Sequence, residues 1–302
     1  NNKFQPEANR YHLYVSYACP WAHRTLIVRA LKGLEEVIGV SIVHPTWQRL
    51  HPDVEGDFSA GWAFFEESHP PVASAKGFGS FHCKGCTPDD INGAKTIKEL
   101  YDMANDTGKR YTVPVLWDKK EKTIVNNESS EIIQMFNREF NAFAKNKDLD
   151  LEPEELKAAM AEVDEWIYDN INNGVYKCGF SRSQQSYDVA VRNLFAHLDK
   201  LEDLLGKQRY VAGDKFTLSD IRAFVTLLRF EEVYIVYFKC NKKGIREYPN
   251  LLEYTREIYQ IPGIAETVNM DHIKVHYYSS HPMLNPASIV PIGMEFEEIL
   301  KV

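Results

Sequence analysis

The stretch Tyr11-His12-Leu13-Tyr14-Val15-Ser16-Tyr17-Ala18-Cys19-Pro20-Trp21-Ala22-His23-Arg24 constrains the fold more than any other part of this chain. Tyr11 to Val15 alternates as a half-buried strand would, with Leu13 and Val15 on one face. Cys19-Pro20 ends that strand, and Trp21 to Leu31 carries a helical pattern. Proline suits a first helical turn, because the N–H it lacks would have no partner there. Cys19 is therefore expected at or just before a helix N-terminus, where the partial positive charge favours thiolate over thiol. A buried structural cysteine is the commoner fate of a lone one. The succession of strand, Cys-Pro step and helix tips the reading toward chemistry.

The segments after Leu31 extend this start into a domain. Glu35 to Val43 is β-branched and reads as a second strand, giving a strand–helix–strand that implies a parallel pair. From His44 to Thr87 the pattern breaks into prolines, glycines and aromatics, longer than an ordinary connection. Asp89 to Ala104 reads as a helix. Val113 to Asp118 and Thr123 to Val125 form a hairpin around Lys119-Lys120-Glu121-Lys122. Asn127 is the expected N-cap of the next helix. This is the order of a thioredoxin-like domain, assigned to residues 1–140. A polar linker is placed at 141–152, and everything from 153 to 302 reads as helical. Within it, Thr217-Leu218-Ser219-Asp220 has the form of a capping box with Asp in place of Glu.

Composition removes several function classes. A net charge of −8 argues against nucleic acid, whose phosphates require a basic surface. Five cysteines in 302 residues are an odd number and too few for a disulfide scaffold, which favours a reducing compartment. No apolar run reaches the length of a membrane span. The cytoplasm is the expected location, with an organelle left open because the chain starts at Asn1 and not at Met. Cys83-Lys84-Gly85-Cys86 is a CxxC, yet no second pair follows to complete a zinc site, so no metal is expected. It reads as a loop feature or a regulatory disulfide. Cys178 and Cys240 read as packing thiols.

Cys19-Pro20-Trp21-Ala22-His23-Arg24 resembles the signature of the glutathionyl-hydroquinone reductases, the Xi-class glutathione transferases. So do Gly61-Trp62, Thr112 to Asp118, Asn127 to Ile133, Asn173 to Lys177, Phe238 to Asn241 and His272 to His281. The Cys-Pro-Trp step alone also fits the omega class; the His-Tyr-Tyr segment near the C-terminus narrows the resemblance. It implies a glutathione transferase fold, α/β thioredoxin-like followed by all-α, whose C-terminal extension forms the acceptor pocket. It implies glutathione as co-substrate, a homodimer assembled through the helical domain, and Val113-Pro114 as the cis-proline step.

By the same resemblance Cys19 is the nucleophile and Tyr176 and Tyr277 assist it, with Tyr278 beside them in the acceptor pocket. Trp62, Arg110, Val113, Glu128 and Ser129 would hold glutathione. From the residues alone, Glu128-Ser129 either grips the γ-glutamyl end or simply caps a helix. Trp62 alone reads as a loop-packing aromatic, and Arg110 as a solvated charge. The implied reaction removes glutathione from a glutathionyl-hydroquinone through a Cys19–glutathione mixed disulfide. Alternatives are an omega-like thioltransferase or dehydroascorbate reductase, and a non-catalytic carrier of aromatic ligands.

Overall fold

The computed structural model describes residues 3–108 and 110–302, which fall into two compact units. The first comprises the chain up to Lys147 together with Thr267–Pro291; the second comprises Asp148–Glu266 and Ile292–Val302.

In the first unit, strand β1 (Tyr11–Val15) leads into helix α1 (Pro20–Leu31), and strand β2 (Gly39–Ile42) returns parallel to β1. A small antiparallel pair comes next, β3 (Gln48–Arg49) with β4 (Ala60–Gly61), inside the long broken region. Then come helix α2 (Ile97–Met103), the hairpin β5 (Val115–Asp118) and β6 (Thr123–Asn126), and helix α3 (Ser129–Arg138). The main sheet has the order β2-β1-β5-β6 with β5 antiparallel to both neighbours. This is the expected thioredoxin-like arrangement, and α1 packs against α3.

Several local expectations are corrected. All five residues of β1 are buried, because pairing with β2 and β5 makes it an interior strand. The second strand is shorter than Glu35–Val43, since Leu34 to Ile38 is taken up by a turn in which the Val37 and Ile38 N–H groups both donate to the Leu34 carbonyl. The helix expected from Asp89 begins only at Ile97. The Asp89 carboxylate instead accepts from the N–H groups of Ile91, Asn92 and Ala94, and Gly93 has a φ of 70°. A short acidic side chain thus offers the backbone an alternative to the helix. Thr96 is the actual N-cap, accepting from the Glu99 N–H.

The second unit is helical: α4 (Lys157–Ile167), α5 (Gly174–Gly179), α6 (Gln184–Leu205), α7 (Leu218–Arg229) and α8 (Pro249–Tyr259). The chain then returns to the first unit as α9 (Met270–Ser280), and ends in the second with α10 (Phe296–Leu300). The sequence alone keeps residues 153–302 together. A row of polar side chains, anchored on the loops after β2, ties α9 to the first unit instead.

The capping box at α7 forms as expected. The Asp220 carboxylate is fully buried and accepts from the Thr217 N–H and hydroxyl, the Val211 N–H and the Tyr254 hydroxyl. Asp220→Ala would strip four donors of their acceptor. The expected cost is about 3 kcal/mol, read by urea denaturation followed by far-UV circular dichroism.

Candidate active site

Strand direction alone assembles this site. β1 and β2 run parallel and both end at one edge of the sheet, β5 begins there, and β6 returns to it. The segments leaving or entering that edge are Ser16–Cys19, Val43–Trp47, Val113-Pro114 and Asn127–Ser129. Cys19, Val113, Glu128 and Ser129 lie on them and Trp62 packs against Trp47 of one, although these five are spread over more than a hundred positions.

Cys19 is the N-cap of α1, with extended backbone angles (φ −71°, ψ 118°) and proline at the next position. Its carbonyl accepts from the His23 N–H at 2.9 Å, the first bond of the helix. The thiol is half-buried and donates to the Val113 carbonyl at 3.5 Å. Val113-Pro114 is cis, as the resemblance implied. Beside Cys19, burial pushes the Tyr17 phenol above its ordinary value, and the Arg24 guanidinium lies 4.5 Å from the centre of the Trp21 ring.

Glu128, not Asn127, is the N-cap of α3. Its side chain is long enough to fold back, accepting from the Ser130 N–H at 3.1 Å and the Ser130 hydroxyl at 3.2 Å. The Ser129 hydroxyl also lies 3.5 Å from the same oxygen. Capping is therefore what these residues do here, and an arriving anion would meet a helix N-terminus already supplied with a carboxylate. Asn127 donates instead to the Tyr101 hydroxyl. Arg110 is exposed.

Trp62 is almost fully buried. Its ring stacks on His276 at 4.4 Å and meets Trp47 edge-on at 5.7 Å. His276 belongs to α9, whose docking the sequence did not foresee. The imidazole Nδ1 of His276 lies 2.8 Å from the Pro45 carbonyl, and the Ser279 and Thr46 hydroxyls are 2.8 Å apart. The Trp47 N–H donates to the Ser280 hydroxyl, and His272 Nε2 lies 2.6 Å from the Lys84 carbonyl. His272, His276, Ser279 and Ser280 recur every three or four residues, one stripe of a helix. That spacing was the available signal, but hydroxyl and imidazole groups do not form the apolar stripe by which core helices are found.

Tyr277 and Tyr278 lie on α9 and are nearly inaccessible. Tyr176 lies in the second unit, on α5, within an aromatic group of its own. Its ring is parallel to Phe180 at 6.4 Å and tilted against Phe238 at 5.2 Å, and Tyr234 stacks on Phe238 at 5.4 Å. Two π-helical turns, Tyr168–Asn172 and Phe230–Tyr234, flank this group. Such turns recur at functional sites. A cavity of about 550 Å³ beside Phe64, His69 and Asp89, and another of about 690 Å³ beside Phe180, Ser183 and Asn193, contain none of the residues selected from sequence.

A thioredoxin-like sheet with a cysteine at the first helix, an adjacent cis-proline step and a separate helical unit defines a glutathione transferase. Residues 18–139 match the glutathione S-transferase N-terminal domain, and 184–257 the glutathione S-transferase C-terminal domain. The chain is 48% identical to the glutathionyl-hydroquinone reductase YqjG of Escherichia coli, over 96% of this chain and 81% of that protein. It is 41% identical to the glutathionyl-hydroquinone reductase PcpF of Sphingobium chlorophenolicum, over 96% and 84%. The crystal structure of the Xi glutathione transferase ECM4 from Saccharomyces cerevisiae in complex with glutathione superposes with a TM-score of 0.86. Its identity is 39%, covering 98% of this chain and 95% of that one. The chain belongs to the glutathionyl-hydroquinone reductases, the Xi class of glutathione transferases.

Proposed function

We propose that this protein removes glutathione from glutathionyl-hydroquinones, yielding the hydroquinone and oxidised glutathione. The observation that carries the reading is the placement of Cys19 as N-cap of α1, at the sheet edge where Val113 and the start of α3 also lie. The names of the relatives, and the glutathione bound in the yeast structure, support it.

In the first step the Cys19 thiolate attacks the glutathionyl sulfur. The carbon–sulfur bond breaks, the ring carbon takes up a proton, and Cys19 is left disulfide-linked to glutathione. In the second step a glutathione thiolate attacks that disulfide and releases oxidised glutathione with the free enzyme. One cysteine suffices, because the resolving thiol is the co-substrate. Departure of Cys19 from the Val113 carbonyl frees that oxygen to accept from the cysteinyl N–H of glutathione. Glu128 turns from its own helix cap to the γ-glutamyl ammonium, and the Ser129 hydroxyl and first N–H groups of α3 that it leaves receive the γ-glutamyl carboxylate. Trp62 and Arg110 are the further glutathione contacts of this reading, and Tyr176, Tyr277 and Tyr278 its candidates for the hydroquinone, because a phenol hydroxyl can hydrogen-bond its oxygens and deliver a proton. The working assembly is a homodimer formed through the helical unit, which light scattering would test, and the working compartment is the cytoplasm.

The deciding assay incubates the protein with a glutathionyl-hydroquinone and glutathione and follows hydroquinone by mass spectrometry. Release with one equivalent of oxidised glutathione is expected. Reduction of mixed disulfides without hydroquinone release would instead mark an omega-like thioltransferase, and binding without turnover a carrier. Ser129→Ala is expected to raise KM for glutathione about tenfold with little change in kcat, since it removes one hydrogen bond to a part of glutathione remote from the reacting sulfur.

A further inference from the structure

The CxxC that the proposed reaction leaves unused is closed into a tight turn. The Cys86 N–H donates to the Cys83 carbonyl at 2.8 Å, and Gly85 has a φ of 79°. This is a β-turn with Cys83 and Cys86 at its ends and glycine at the position that must be left-handed, a type II turn. A turn of this kind holds its end Cα atoms within about 7 Å, overlapping the separation of about 4.4–6.8 Å that a disulfide spans. The turn thus brings the two cysteines into the range of Cα separation that a disulfide bridges.

The turn is also held from outside. Thr87, next in sequence, exchanges hydrogen bonds with Ile42 at the end of β2, its N–H to that carbonyl and its hydroxyl from that N–H. The Gly85 N–H donates to Glu67, and the Lys84 carbonyl, at the middle of the turn, meets His272 of α9. The His272 ring in turn lies edge-on to Tyr17, two residues before Cys19. Both thiols are buried while Lys84 between them is exposed. Among the described residues no third His, Cys, Asp or Glu joins them to make a metal site. Burial pushes both thiols up, Cys86 to about 12 with the nearby Cys83 adding to it. A dithiol whose thiolates are so poorly stabilised gives up little when it becomes a disulfide, the reverse of the low-pKa pairs that act as oxidants.

We propose that Cys83 and Cys86 form a reversible disulfide in exchange with the glutathione pool, a second redox site at the anchor of α9. Local opening of the turn exposes one thiol, which gives its proton to solvent; its thiolate attacks a sulfur of oxidised glutathione and releases one glutathione, leaving a mixed disulfide. The second cysteine displaces the other glutathione. The pair loses two protons and two electrons, which reduce oxidised glutathione to two molecules of glutathione. That this oxidant is also the protein's own product rests on the proposed function; the exchange itself does not.

The test incubates the wild-type protein for hours in glutathione buffers ranging from reduced to predominantly oxidised, since uncatalysed exchange is slow. The samples are quenched in acid, unfolded, alkylated with N-ethylmaleimide and digested with a protease that spares Lys84. In the oxidised buffer the peptide containing Cys83 and Cys86 should lack both labels and weigh two hydrogens less than the free dithiol, and reduced buffer should restore both labels. Full alkylation of both residues in the oxidised buffer, or glutathione retained on one of them, would overturn the proposal. Because oxidised glutathione is supplied, failure of the hydroquinone assay leaves this result standing, and the converse holds.

Discussion

Cys19→Ser is expected to lower hydroquinone release by at least about a thousandfold, because the hydroxyl is neither ionised near neutral pH nor able to form the mixed disulfide. The fold should survive. Cys19 is only half-buried, its backbone carbonyl still opens α1, and proline remains at the next position. Far-UV circular dichroism and the thermal midpoint should match the parent protein, so that lost turnover is read as lost chemistry. Turnover undiminished in a folded Cys19→Ser protein would remove the thiol mechanism. Mass spectrometry of the parent enzyme, quenched during turnover, should find glutathione on Cys19.

The largest expected effect on stability is acid loss of the first unit. Burial pushes the His12, His44 and His281 imidazoles down to about 4 from an ordinary 6.5, and burial also lowers His272. The unfolded chain therefore binds protons between pH 6.5 and 4 that the folded unit does not. The contribution of these groups is complete above pH 6.5 and is lost as pH falls toward and below 4. A depression of that size is worth about 3 kcal/mol for each of the first three groups. Two of them together reach the lower end of a whole domain's stability, about 5 kcal/mol.

Asp220 in the second unit has the opposite sign. Burial raises its carboxyl to about 6 against the hydrogen bonds that favour the charge. Its contribution is complete below the ordinary aspartate value and is lost as pH rises through 6. Hydrogen exchange between about pH 7 and 4 should show protection lost first in the first unit and retained around α7. Substituting His12 by Gln, which keeps a polar partner for Ser41, should remove one increment of the acid loss. Equal loss in both units, or none above about pH 4, would refute the assignment.

The fold was legible where local chemistry and tertiary demand agree. Cys19-Pro20 marked a helix start by the proline's missing N–H, the polar turn at Lys119–Lys122 marked the hairpin, and Thr217 with Asp220 marked the start of α7. It was illegible where side chains competed with the backbone. Asp89 looked like part of a helix because a periodicity ignores what a carboxylate can accept, and the structure spends it on three N–H groups of a turn.

By itself the sequence determined a thioredoxin-like start, a helical remainder, a cysteine at a helix N-terminus and, through resemblance, the family. These rest on properties that neighbouring residues carry: hydrophobic period, caps and proline geometry. Only the tertiary structure decided that α9 returns to the first unit, that Trp62 lies stacked on His276, and that Glu128 caps its own helix. It also decided that the Cys19 thiol donates to Val113, 94 positions away. Those are pairings between groups far apart in the chain, and polar pairs leave no periodic trace from which either partner could be foreseen.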